Sequence, residues 1–467
     1  MRLELDPDRL LPADPDERRI ARELHAAVVD APIVSPHGHV DAAMIAEDAP
    51  FEDPADLLIV PDHYVLRLLH AHGVDLADLG RSPSSPADPR QIWRTFAERW
   101  HLFAGTPARL WLEDTLASVF GVREHPSAAN ADELFDTISA WIASPESRPR
   151  ALFERFRIDV LATTDDPTAD LDAHAELRAD PTFAGRVLPT FRADRYFAPE
   201  AQGFTTALSE LSSLTGIDCG SAAGMLRALE TRRAHFRQLG ATATDTGVVD
   251  AASLRMDLSE FERLHRAAVY GEITPTEAAR YRAHMVWQSA RMSSEDGLVM
   301  QLHPGVLRNH HRPTLDRFGP DTGHDLPLPT EFTRPLRDLL EDFGTNGRFR
   351  MVLFTVDETS FARDIAPLAG FYPSVYAGAP WWFLDTPAAI RRYREAVTDA
   401  AGFFKTSGFI DDTRAFLSIP ARHDVSRRID AGYLASLVVR GQLPEEEAHH
   451  IAQDLVSTIP RSVFRLD

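Results

Sequence analysis

From about residue 157 onward, short apolar runs alternate with longer stretches whose apolar residues recur at helical spacing. The runs are "IDVLATT" (158–164), "RVLPTF" (186–191), "ATATDTGVV" (241–249), "GLVMQLH" (297–303), "RMVLFTV" (350–356), "SVYAGA" (374–379) and "SGFIDD" (407–412). Between them lie amphipathic segments such as "AAGMLRALETRRAHFRQL" and "TEAARYRAHMVWQSARM". An earlier run, "APIVSPHGH", brings the strand count to eight. Strands that alternate with helices predict parallel pairing, and eight of them predict an α/β fold of the (β/α)8 TIM-barrel type.

The pattern ahead of residue 157 is different. A first helix is expected near residues 16–29, and residues 41–156 carry helical signals without a convincing strand. In that stretch "DPRQIWRTFAERWHLF" starts at Asp-Pro, and "NADELFDTISAWIA" offers Asn130 as N-cap with Glu133 three residues on, a variant capping box. The expected organisation is therefore residues 1–40 as first helix and first strand, 41–156 as a helical insertion, and 157–467 as the rest of the barrel with additional C-terminal helices. "RSPSSPADPR" (81–90) reads as a linker. A doubly wound open sheet is the rival, but no glycine-rich phosphate fingerprint follows the first strand.

Composition narrows the function classes. The net charge of −21 over 467 residues gives no basic stripe for nucleic acid and none for an anionic membrane surface. An anionic small substrate then requires a local cluster of arginines. Cys219 is the single cysteine, which excludes an intrachain disulfide and suits a reducing compartment. The opening "MRLELDPDRLLPADPDERR" is charged where a signal peptide is apolar, and no run reaches the ~20 residues of a membrane span, so a cytoplasmic location is expected. Lys405 is the only lysine, so any chemistry that needs a lysine depends on it.

Chemistry gathers at the strand ends. In "VSPHGHVD", His37 and His39 are two apart and share one side of an extended chain, where two imidazoles can hold a divalent metal or sit as hydrogen-bonded loop histidines. Elsewhere Thr163, Thr164, Arg192, His303, Trp381, Asp411, Asp412 and Arg414 sit at or just past strand ends, the active-site face of such a barrel. Asp165 and Asp166, before Pro167, read as caps of the next helix. Together the strand ends describe one polar pocket.

These segments resemble the uronate isomerase (glucuronate isomerase) family of the amidohydrolase superfamily. The resemblance rests on "HGH", "PDHYVLR", "ATTDDP", "VLPTFR", "QLHPGVLRN", "GPDTGHD", "WWF" and "DDTRAFLS", in that order from about residue 20 to the C-terminus. It implies His37, His39 and Asp412 as ligands of one divalent metal ion, expected to be zinc. It also implies a catalytic group of Asp412, His63, Tyr64 and His303, and a substrate pocket of Arg192, Arg414 and Trp381. Trp382 is left to the core. Ser35-Pro36 and Gly38 depart from the family's usual residues, as does Asp245-Thr246 where relatives carry Asp-His.

The implied reaction interconverts an aldose and a ketose hexuronate, D-glucuronate with D-fructuronate or D-galacturonate with D-tagaturonate, through a cis-enediol. That needs a base, an acid and stabilisation of the enediolate oxygens. A homo-oligomer is the expected assembly. The alternative is a metal-dependent hydrolase of the same superfamily. Two-metal members bridge their ions with a lysine from a middle strand, and Lys405 comes too late in the chain for that role.

Overall fold

Strand polarity and order follow from the alternation. A computed structural model describes residues 2–82 and 87–467, so residues 83–86 of the expected linker lie outside it. The strands are β1 (Ile33–Ser35), β2 (Ile158–Ala162), β3 (Arg186–Leu188), β4 (Phe191–Arg192), β5 (Ala243–Val248), β6 (Val299–Pro304), β7 (Val306–Leu307), β8 (Leu326–Pro327), β9 (Met351–Leu353) and β10 (Val375–Ala377). They form two parallel sheets, β1-β2-β3 and β10-β9-β6-β5-β4, plus the antiparallel hairpin β7-β8. Helices connect the strands of both sheets, as parallel pairing demands.

Two of the expected strands take a different form. Residues 186–192 are split around Pro189, which has no N–H for a ladder. The half before it pairs with β2 and the half after it with β5. A single bridge between Asp165 and Phe191, with Arg192 N–H donating to Asp165 O at 2.9 Å, joins the two sheets there. Residues 407–412, the expected eighth strand, form no ladder. Thr406 bridges Ala377, and His39 N–H donates to Thr413 O at 3.1 Å, so this segment touches β10 at one end and the residues after β1 at the other.

Successive strands send Val34, Val160, Ala243, Val299 and Val352 into one buried cluster with Phe354 and Trp381. Each fully buried valine contributes at most about 1.5–3 kcal/mol. The elements described between β1 and β2 are all helices, and their apolar faces form a second cluster that includes Trp93, Phe96, Phe103 and Ile138 and extends to Phe416 and Ile419. That continuity anchors the early helices to the chain following residue 412.

Local capping differs from expectation in two places. Asn130 precedes the helix Ala131–Ile142 but does not cap it; its Oδ1 accepts from the Ser127 N–H and hydroxyl instead. Asp165 and Asp166 cap no helix either, since the next one starts at Asp172 behind Leu171. Asp165 accepts from the Thr163 hydroxyl at 2.6 Å, and Asp166 closes a turn on Thr168. A carboxylate before proline has several short-range donors within reach, and here the turn takes precedence.

Candidate active site

A cavity of about 290 Å³ opens where the strands end. Its wall includes His39, His63, Tyr64, Arg192, Trp381, Asp412 and Arg414, seven residues singled out in the sequence. His37 and His303 complete the group from just beneath: the His303 ring stacks on His37 at 4.8 Å between centroids and meets Trp381 edge-on at 4.7 Å.

The deepest part is built on Asp412. This residue has φ 42°, a left-handed conformation that costs a non-glycine residue roughly 1–3 kcal/mol and tends to mark functional sites. Its Oδ1 lies 3.0 Å from His39 Nε2 and 3.3 Å from His37 Nε2. Burial opposes ionisation of Asp412, but the two imidazoles outweigh it and hold the carboxyl well below its usual range. Burial likewise opposes charge on His37, yet Asp412 and Asp245 raise its pKa; burial prevails at His39 and lowers it.

His303 is oriented from behind. Its Nδ1 is 2.7 Å from Asp245 Oδ1, so Nδ1–H donates to the carboxylate and Nε2 is left as the free lone pair. Asp245 in turn lies 3.2 Å from Arg192 Nη1, while Arg192 Nε–H donates to Asp194 Oδ2 at 2.8 Å. Gly247 N–H donates to the other Asp194 oxygen, and a Cβ at Gly247 would stand 2.9 Å from Asp194 Oδ2 and push that carboxylate aside. Burial opposes ionisation of Asp245, but Arg192, His303 and His37 keep its carboxyl far below the usual range.

The donor set suits a divalent cation. His37, His303 and Asp412 each offer an atom within 4.8 Å of the others, and His39 Nε2 faces the same Asp412 oxygen. The buried His303 Nε2 and Asp412 Oδ1 have no hydrogen-bond partner. Imidazole nitrogens with one carboxylate match zinc and other first-row divalent ions. Lys405 is remote from this set. Its Nζ donates to the Tyr372 and Pro373 carbonyls, which precede β10, at the end of the sheet away from the cavity.

His63 and Tyr64 open the helix His63–Ala71, which Asp62 caps by accepting from Tyr64 N–H at 2.8 Å. Burial, with Arg414 and Arg422 nearby, pushes the His63 pKa down to about 4, so its imidazole is neutral near pH 7. The Tyr64 hydroxyl donates to Asp385 Oδ1 at 2.7 Å.

Sequence reading missed several lining residues. Trp382, expected in the core, lines the cavity under the Arg308 guanidinium. Arg308 and Asp321 come from the segment around the β7-β8 hairpin, and Arg414 is 3.1 Å from Asp321. "QLHPGVLRN" contains Arg308, but only the hairpin turns that side chain toward the mouth.

The glucuronate isomerase family model matches residues 16–464. The chain belongs to the glucuronate isomerase family. It is similar to the uronate isomerases of Rhizorhabdus wittichii, 51% identical over 99% of both chains, and of Cutibacterium acnes, 50% identical over 99% of both. Among solved structures, it superposes on glucuronate isomerase from Caulobacter crescentus with a TM-score of 0.98, at 44% identity over 100% of this chain and 98% of that one. Uronate isomerase from Thermotoga maritima gives 0.93 at 28% identity, covering 99% of each. Members of the family thus share this fold along the whole chain.

Proposed function

We infer that the protein is a hexuronate isomerase that converts an aldose with a terminal carboxylate into the corresponding ketose. The observation that carries this reading is a single cavity with proton-handling groups at its floor and guanidiniums at its mouth. The hydrolase alternative has no lysine near the floor to bridge two metals.

The sugar acid lies with its C1–C2 end toward Asp412 and its carboxylate toward Arg414 and Arg308. Both arginines are about 45% exposed and paired with Asp321 and Asp325, aspartates that a substrate carboxylate would replace. Arg192, deeper and held by two aspartates, faces an enediolate oxygen. Asp412, at the floor of the cavity beside His37 and His39, takes a proton from the substrate and returns one to the neighbouring carbon. His63, neutral, exchanges protons with the sugar oxygens, and Trp381 forms an apolar wall. His37, His39, His303 and Asp412 would hold one divalent ion, zinc in our reading, which when bound supplies positive charge beside the developing oxyanion.

The same reading takes the two sheets as one closed (β/α)8 barrel, with residues 1–40 and 157–467 forming the barrel and 41–156 a helical insertion. The bridges at Asp165 and Thr406 and the contact from His39 to Thr413 support closure. The charge of −21 and the lone cysteine support a cytoplasmic protein that binds neither nucleic acid nor membrane. The reading also takes the assembly to be a homo-oligomer.

The test is NMR of the purified protein with D-glucuronate and with D-galacturonate in deuterated water, beside metal analysis. Ketose product from either sugar is expected; no conversion of either would overturn the reading. Arg414→Met is expected to raise KM roughly 10- to 100-fold with a smaller change in kcat, since a charged hydrogen bond is worth about 1.5–3 kcal/mol. Steady-state kinetics reads this directly, and an unchanged KM removes Arg414 from the carboxylate site.

A further inference from the structure

In the cavity wall lies a buried ion pair that the scheme above does not use; its arginine, Arg422, lines the cavity. Asp385 is 6% exposed and Arg422 4%. Arg422 Nη1 donates to Asp385 Oδ2 at 2.8 Å, its Nε donates to Ser418 Oγ at 3.0 Å, and its guanidinium lies 3.5 Å from the Trp111 ring centroid. The other carboxylate oxygen, Asp385 Oδ1, accepts from the Tyr64 hydroxyl. Four segments meet here: the helix that begins at His63, the helix Pro107–Asp114 that carries Trp111, the turn after Trp381-Trp382, and the helix Ile419–Val439 that follows Asp412.

The pair dictates which way the phenol points. Burial raises the Asp385 pKa, but Arg422 and the Tyr64 hydroxyl work against it by pairing with the ionised form. With one oxygen on Arg422 and the other facing the phenol, the carboxylate accepts and the single Tyr64 proton is committed to it. One oxygen lone pair of Tyr64 takes the Phe383 N–H at 3.2 Å. One acceptor position is left, on a residue that lines the cavity.

We propose that Asp385, locked by Arg422, is a positioning residue that turns the Tyr64 O–H away from the cavity and leaves the phenolic oxygen to accept a hydrogen bond from a hydroxyl of the bound uronate. Tyr64 therefore accepts a hydrogen bond from the substrate rather than donating one. The inference rests on the isomerase reading, and a wild-type protein inactive on both uronates would overturn that reading first.

The experiment is a double-mutant cycle with Tyr64→Phe and Asp385→Asn. An asparagine amide beside Arg422 presents its oxygen to the guanidinium and its NH2 to Tyr64, which reverses the phenol. Asp385→Asn is expected to lower kcat roughly 10- to 100-fold with KM changed far less. In the Tyr64→Phe background it is expected to cost nothing further. Asp385→Glu keeps the charge opposite Arg422, and with it the fold, but displaces the carboxylate; its loss in kcat is likewise expected only when Tyr64 is present. Wild-type kcat in either Asp385 variant overturns the proposal, as does a loss that persists in full without the Tyr64 hydroxyl.

Discussion

Asp412→Asn is expected to lower kcat/KM by roughly 10³-fold or more, the largest effect of any single substitution in the cavity. Two contributions are lost together. A positioned proton acceptor is worth about 10²–10⁴-fold, and electrostatic groups facing the reacting oxygens add a further share. The substitution is nearly isosteric, so the backbone with φ 42° and the contacts to the early helices stay in place. Bound metal should fall as well, because the set loses its only carboxylate. Steady-state kinetics and metal content are the two readouts. Full activity in this variant would move proton transfer elsewhere; lost activity with retained metal would separate proton chemistry from ion binding.

Much of this site was legible before any fold was known, for a physical reason. Parallel strands place their C-terminal ends at one face, so the polar residues that follow each apolar run converge without further information. His37, His39, His303, Arg192, Asp412 and Arg414 were reachable in that way. Partners supplied by loops and helices were not. Arg308 and Asp321 are turned inward by the β7-β8 hairpin, whose two-residue strands leave almost no periodic signal. Arg422 lies on a helix so thoroughly buried that its sequence shows no amphipathic stripe. Strand ends were also read too regularly. Pro189 splits one strand between two neighbours, and the last segment makes single bridges instead of a ladder. Trp382 shows the remaining difficulty: two adjacent tryptophans look alike in sequence, and both line the cavity.

Arg192→Met is expected to cost activity and stability at once, and the pH dependence distinguishes the cause. Arg192 is the cation shared by the buried Asp245 and the partly exposed Asp194. Removing one partner from a buried ionic group leaves uncompensated charge and typically costs about 3–5 kcal/mol. In the wild type, ionised Asp245 contributes stability above the unfolded aspartate value of about 3.9, and that contribution is lost as pH falls through its far lower folded value. Without Arg192 the folded pKa values of both carboxyls rise, so the same ionisation opposes folding. The deficit should therefore be greatest near pH 8 and shrink as pH falls toward the range where both carboxyls protonate. Urea midpoints at pH 8 and pH 5 measure it. Arg192→Lys should recover only part of the loss, because an ammonium cannot present two separate edges to two carboxylates. Activity should follow, since a protonated Asp245 no longer fixes the His303 ring with Nε2 free. A deficit equal at both pH values would mean that lost packing, and not the unpaired carboxylates, sets the cost of removing Arg192.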